Sequence, residues 1–261
     1  MLFVVNFFVD FILLTKDIFL LLNKNKGELN MIELVKKEVF NLMETASGHS
    51  FDHIERVYKM ALFLAEQEGG DKEVIALASL LHDADDYKFV GQAQASLLLN
   101  AKKIMQKACI IPETQQKVCD IIGTMGYSNR LKGIYPQSLE GRIVSDADML
   151  DAMGAMAIVR TLEYGLSRGG VVFNPKVFPD ENLNANKYQK MANEQEPCIN
   201  HFFDKLLKLR GLLFTKTARE EGACRHQLML DFLVAFFKEN QAPNWQAYLE
   251  TYLKRQEHLF S

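Results

Sequence analysis

An apolar run from Val74 to Leu81 ends in Leu80-Leu81-His82-Asp83-Ala84-Asp85-Asp86-Tyr87, one histidine and three carboxylates within five residues. Carboxylates at the C-terminal end of a helix face the negative end of its dipole, an arrangement that a bound cation relieves. Imidazole beside carboxylate is also a donor set that borderline divalent metals take. Alone, the stretch also reads as a polar helix end in solvent, so a metal centre requires matching donors elsewhere. Two stretches offer them. His53 falls on the stripe His53, Val57, Met60, Ala61, Leu64 of a helix starting near Ser50 or Asp52, with Arg56 one turn further on. Asp146, Asp148 and Asp151 lie in a second buried helical segment, Arg142 to Arg160, among Ile143, Val144, Ala147, Leu150, Met153 and Ile158. Charged groups are rarely placed on a buried helix unless paired or bound to metal. One of the three can cap or pair with Arg142; three invite ligation.

The elements that must carry these residues are helical. Met31 to Met43 is amphipathic, and Gly69-Gly70 ends the helix of His53 before Asp71 caps the one leading into His82. Gln92 to Lys107 reads as one further helix, and Pro112 opens another through Ile122. Gly165 to Asn186 carries Gly169-Gly170, Pro175 and Pro179, an irregular excursion that is either a lid or a surface loop. Asn200 to Leu213 and Ala218 to Lys238 read as long helices with Phe/Leu/Met core stripes, and Trp245 to Leu259 as a last amphipathic helix. The fold class this predicts is all-α: a single compact multi-helix domain over residues 31–240, with a C-terminal helix over 241–261 packed on it.

Composition narrows the function classes. The chain has 261 residues, 48% hydrophobic and 24% charged, which suits a soluble globular protein with ample core. A net charge of −3 gives no basic footprint for duplex nucleic acid. Four scattered cysteines without a C-x-x-C pair read as reduced thiols of a cytoplasmic protein. Residues 1–30 form an apolar extension. Asp10, Lys16 and Asp17 interrupt it, so it offers no clean span of roughly 20 apolar residues, and stable membrane insertion is not expected. It also lacks the features of a secretory signal. Lys26-Gly27-Glu28 can be encoded by a purine-rich stretch like a ribosome-binding site, with Met31 at suitable spacing. The hypothesis is a start at Met31, to be checked by intact mass of the native protein; an interfacial anchor is the alternative.

Two histidines and two carboxylates on different helices make a set with positions left for water. At this point the chain resembles the HD-domain phosphohydrolase superfamily, whose ligands run His…His-Asp…Asp. His53-Ile54-Glu55-Arg56-Val57 is similar to the family's first motif, Leu81-His82-Asp83 to the second, and Ala147-Asp148-Met149-Leu150-Asp151-Ala152 to its A-D-x-L segment. Glu140-Gly141-Arg142-Ile143-Val144, Ala155-Met156-Ala157-Ile158, Asn200-His201-Phe202 to Lys205-Leu206, and Ala218-Arg219 to Arg225-His226 extend the likeness to a small single-domain bacterial branch. It covers nearly everything from residue 45 to 238.

The resemblance implies an all-helical hydrolase, with His53, His82, Asp83 and Asp148 as metal ligands, in a branch that includes nucleotide pyrophosphohydrolases. One departure matters. Two-metal HD proteins carry extra histidines between the His-Asp pair and the last aspartate, whereas Ala84 to Val144 holds none and Met125 stands in that region. Methionine is a poor ligand for hard metals, so one divalent ion (Mn²⁺, Mg²⁺ or similar) is expected. The activity expected is cleavage of a phosphoester or phosphoanhydride bond, most naturally of a nucleotide, by a metal-activated water. Asp83 with Asp86 are the catalytic candidates, because Asp86 follows Asp83 by three residues and can orient that water; an acidic residue sits at this offset in related guanosine-tetraphosphate hydrolases. Arg56 and Lys88 are candidate phosphate clamps, and His201, Lys205 and Arg219 candidates for the far side of the pocket. Asp146 and Asp151 are expected to cap helices or support ligands. The partner is a small phosphorylated molecule, with a homodimer as a further option. The competing readings are a non-catalytic nucleotide sensor on the same helices and a purely structural bundle.

Overall fold

A computed structural model describes residues 30–44, 51–180 and 196–256, excluding the side chains of Lys88, Phe89 and Gln92. The expectations for residues 1–29, for the far part of the Gly165–Asn186 excursion and for the end of the last helix beyond Gln256 lie outside these residues. The described residues form helices and turns with no strand.

Helix α1 spans residues 30–44 and buries Val35, Val39 and Met43, one stripe at helical spacing. Helix α2 (Phe51–Glu68) buries His53, Ile54, Val57, Ala61, Leu64 and Ala65. Helix α3 (Lys72–Leu81) is buried at every position from Val74 to Leu81, as its unbroken apolar run requires, which makes it the central rod. Asp71 caps it, accepting from the Glu73 and Val74 amides. Short helices α4 (Tyr87–Val90) and α5 (Gln92–Ala95) lead to α6 (Leu99–Lys107) and α7 (Pro112–Thr124). After α8 (Tyr127–Arg130), helix α9 (Leu139–Asp151) starts at the Ser138 cap and packs against α2 and α3. Next come α10 (Gly154–Ser167), α11 (Asn200–Asp204), a 3-10 segment (Leu206–Leu212), α12 (Lys216–Glu239) and α13 (Pro243–Gln256). Helix α13 is held by its aromatic face: Trp245 and Tyr252 are almost fully buried against Phe203 and Phe237. Such ring pairs contribute about 0.5–1.5 kcal/mol each beyond area burial. The Tyr252 hydroxyl donates to the Phe203 carbonyl and the Trp245 indole to that of Pro175.

Three stretches expected as single helices are interrupted, each by a tertiary contact. Gln92 to Lys107 breaks at Leu98, which is left-handed (φ 52), because the Asp85 carboxylate accepts from the Asn100 and Ala101 amides and caps a new helix. The segment through Arg160 breaks after Asp151. Gly154 has φ +76, which favours glycine, with the Arg225 side chain against it; Arg225 Nη1 donates to the Leu150 carbonyl at the break, which also accepts from the Met153 amide. Asn200 to Leu213 is α-helical only to Asp204, then tightens to 3-10. The Asp146 carboxylate takes the Phe214 and Thr215 amides just beyond, and Arg130 takes the Leu212 carbonyl, which pulls the chain off the helical path.

Candidate metal centre

Each ligand candidate sits where an element ends. His53 is in the first turn of α2, His82 is the C-cap of α3, Asp83 follows in the turn, and Asp148 is in the last turn of α9. Asp148 and Asp151, three residues apart, share one face of α9, while Asp146 lies across the helix from Asp148. The ends of α3 and α9 thus bring two negative dipole ends and several carboxylates together.

Hydrogen bonding fixes which ring atoms face the centre. His82 Nδ1 lies 2.8 Å from the Ser79 carbonyl, so Nδ1 carries the proton and Nε2 presents its lone pair. His53 Nδ1 lies 2.7 Å from Asp151 Oδ2, with the same result. The two Nε2 atoms then meet 3.2 Å apart. Asp83 Oδ2 is 3.6 Å from both, and Asp148 Oδ1 is 3.5 Å from His53 Nε2 and 3.9 Å from His82 Nε2. Among the described residues, His53, His82 and Asp148 offer ligand atoms all within 4.8 Å of one another. Lone pairs and carboxylates converging on one point repel unless a proton or a cation stands between them. These donors suit a borderline divalent ion.

The same demand for positive charge appears in the titration of His82. Its side chain is 3% exposed, and although burial works against the charged ring, the Asp83 and Asp148 carboxylates prevail and raise its pKa above 6.5. The sign follows from linkage. A raised histidine stabilises the fold fully below the unfolded value of 6.5 and loses that contribution as pH rises through the folded pKa. His201 and His226, pushed down by burial to about 3 and about 4, act on the other side of 6.5 and leave this window alone. With chelator present, the unfolding midpoint should therefore fall as pH rises above 6.5. Added Mn²⁺, competing with the proton for Nε2, should raise it more at the upper pH, as differential scanning fluorimetry will read.

Behind His53 lies a charge network. Arg56 gives Nε to Asp151 Oδ1 at 2.6 Å and Nη2 to Oδ2 at 3.0 Å. Arg160 gives Nη1 to Oδ2 at 2.6 Å. Burial pushes the Asp151 carboxyl up, but the bonds from His53 and Arg56 hold it well below the usual carboxylate range. Asp146 instead takes Phe214, Thr215 and the Thr215 hydroxyl, and burial pushes its carboxyl up to about 6 against those bonds.

The remaining candidates fall at varied distances from this cluster. Asp86 is half-buried, its amide closes the turn on the Asp83 carbonyl at 3.2 Å, and its charge helps to raise His82. The Lys88 side chain lies outside the described residues. Burial, with Lys205 beside it, lowers the His201 pKa, so its ring is neutral near pH 7. Lys205 Nζ stands 5.2 Å from the centre of the Tyr127 ring. Arg219 is exposed and gives Nε to the Leu213 carbonyl at 3.0 Å. Two residues escaped the reading of the sequence: Asp85, which anchors the ligand turn to α6, and Arg160, whose only signal was Gly154 six residues before it.

The HD domain family model matches residues 50–153, which contain all four ligand candidates. A crystal structure of an HD-superfamily hydrolase from Bacillus thuringiensis is 33% identical, covers 82% of this chain and 99% of its own, and superposes with a TM-score of 0.66. The YpgQ protein of Bacillus subtilis is 29% identical over 211 residues, 79% of this chain and 92% of YpgQ. YpgQ has a crystal structure in complex with ADP, covering 82% of this chain and 96% of its own at 27% identity and a TM-score of 0.61. Among the described residues no helix is long and apolar enough to cross a membrane. A match through both histidine motifs and the aspartate motif, carried along nearly the full length of such relatives, places this chain in the HD-domain superfamily.

Proposed function

We propose that the protein is a metal-dependent phosphohydrolase that cleaves a phosphoester or phosphoanhydride bond of a nucleotide. The observation that carries this reading is the approach of the His53 and His82 Nε2 atoms to 3.2 Å, both tautomers held, with Asp83 and Asp148 oxygens beside them. A divalent ion bound there supplies Lewis acidity, lowering the pKa of a water and offsetting charge on phosphorus. The chain's own residues do the rest. Asp151 keeps the His53 proton on Nδ1, and the Ser79 carbonyl does the same for His82. Asp86, one turn from Asp83, orients the attacking water and accepts its proton. Arg56 holds Asp151 behind His53; Arg56, Lys88, His201, Lys205 and Arg219 are the candidate substrate contacts to be tested by substitution. One cation is proposed, since Met125 closes α7 where a further histidine would stand. The ADP complex of YpgQ supports a nucleotide as ligand.

The test is a screen for released phosphate and pyrophosphate over nucleoside mono-, di- and triphosphates, with Mn²⁺ or Mg²⁺ and a chelator control. Turnover that appears with metal and disappears with chelator is the expected result. Binding without turnover across the whole panel would make the protein a nucleotide sensor.

A further inference from the structure

Arg160 and its charge balance go beyond what a histidine support requires. Asp151 carries one negative charge and receives two guanidinium groups beside a ring that is neutral in the ligand tautomer. Arg56 alone satisfies the carboxylate in two-point fashion, with 2.6 and 3.0 Å bonds. A second guanidinium on the same carboxylate is more than the support of one histidine needs, and the two cations repel, with Asp52 acting on Arg56 as well. The Arg160 side chain is 41% exposed. Its Nη1 is held by Asp151, while Nε and Nη2 make no hydrogen bond among the described residues. A fixed guanidinium with a spare planar edge fits a phosphate oxygen pair.

Position selects among phosphates. Arg160 Nη1 lies 3.2 Å from His53 Nδ1, whereas the ligand cluster lies at Nε2, the opposite edge of the same ring. A phosphate on Arg160 is therefore a neighbour of the one at the cluster, within one phosphoanhydride chain. We infer that Arg160, pre-oriented by Asp151, binds a second phosphate and makes the site selective for substrates with two or more linked phosphates. This inference rests on the proposed hydrolase reading and deepens it.

The experiment uses the full chain, wild type and Arg160→Ala, titrated calorimetrically with Mn²⁺ alone and then with ADP or AMP at saturating Mn²⁺. Expected is an ADP dissociation constant weakened about tenfold or more, with AMP and Mn²⁺ changed less than about twofold. Steady-state kinetics on the best substrate should show a larger change in KM than in kcat. Arg160→Gln is read by the same criteria if the alanine variant does not fold, and Arg160→Lys should recover part of the preference. ADP and AMP weakened in equal proportion, ADP binding unchanged, or a wild type that does not prefer ADP overturns the inference. A wild type that loses its ADP preference on Arg160→Ala yet turns over no nucleotide leaves the inference standing and refutes the hydrolase reading alone.

Discussion

Asp83→Ala is expected to leave the helical fold in place while metal-dependent turnover drops about a thousandfold or more. The size follows from what the carboxylate does. An ion that supplies several kcal/mol of transition-state stabilisation is lost or misplaced when one of its anionic ligands goes, and ~4 kcal/mol corresponds to about three orders of magnitude. The fold survives because Asp83 lies in the turn that follows α3, outside the helices that build the core. In the absence of metal, and at a pH high enough that His82 is neutral, the variant should even gain stability, since one of the carboxylates crowded on the His53 and His82 lone pairs has been removed. With metal the order reverses: the wild type gains a binding term that the variant lacks. Calorimetric Mn²⁺ titration and thermal melts with and without chelator read both halves. Undiminished turnover in Asp83→Ala would sink the ligand assignment.

Asp151→Ala should do the opposite, damaging the fold as well as the chemistry. Three donors, His53 Nδ1, Arg56 and Arg160, converge on that carboxylate. Removing one member of a buried ionic cluster leaves uncompensated charge and costs about 3–5 kcal/mol. Here the arginines are 34% and 41% exposed, so water screens part of the loss and about 2–3 kcal/mol is expected. His53 also loses the acceptor that fixes its tautomer, and metal affinity should fall about 10–100-fold. Asp151→Asn separates the two effects. It keeps an acceptor for the ring but removes the charge that holds the guanidinium pair, so it should recover more affinity than stability. Urea unfolding beside Mn²⁺ titration measures each; equal recovery of both would show that the network is not electrostatic.

The helical class and the candidate donors His53, His82 and Asp83 could be read from local signals, while the choice of Asp148 among the carboxylates of α9 came from the family resemblance. Apolar spacing marks α2, α3 and α9, and His82 with Asp83 stand where the α3 stripe ends. What escaped was set by contacts between segments distant in sequence. Asp85 looked like one more carboxylate of the His-Asp turn, but it faces the start of α6 and splits a stretch whose composition favours one helix. Arg160 lies nine residues beyond Asp151. In a continuous helix nine residues rise about 13.5 Å and end on the opposite face, so a reading of one helix through Arg160 keeps the two apart. The turn at Gly154, with its φ of +76, folds α10 back and lets them meet. Arg56 carried a correct signal of proximity, one turn from His53, but spacing alone could not show that its partner would be Asp151.

The donors of the centre come from helices far apart along the chain, with His53 and its supporting Asp151 separated by 98 positions. During synthesis, a nascent chain holding His53, His82 and Asp83 still lacks Asp148, and the carboxylate that aligns the first histidine is made later still. The ribosome must therefore pass residue 151 before the candidate site can close, and loading with metal would be a late event in the life of each molecule. Partial chains could not hold an ion in the finished geometry, so any stabilisation it brought would be reserved for molecules that have already brought α2, α3 and α9 together.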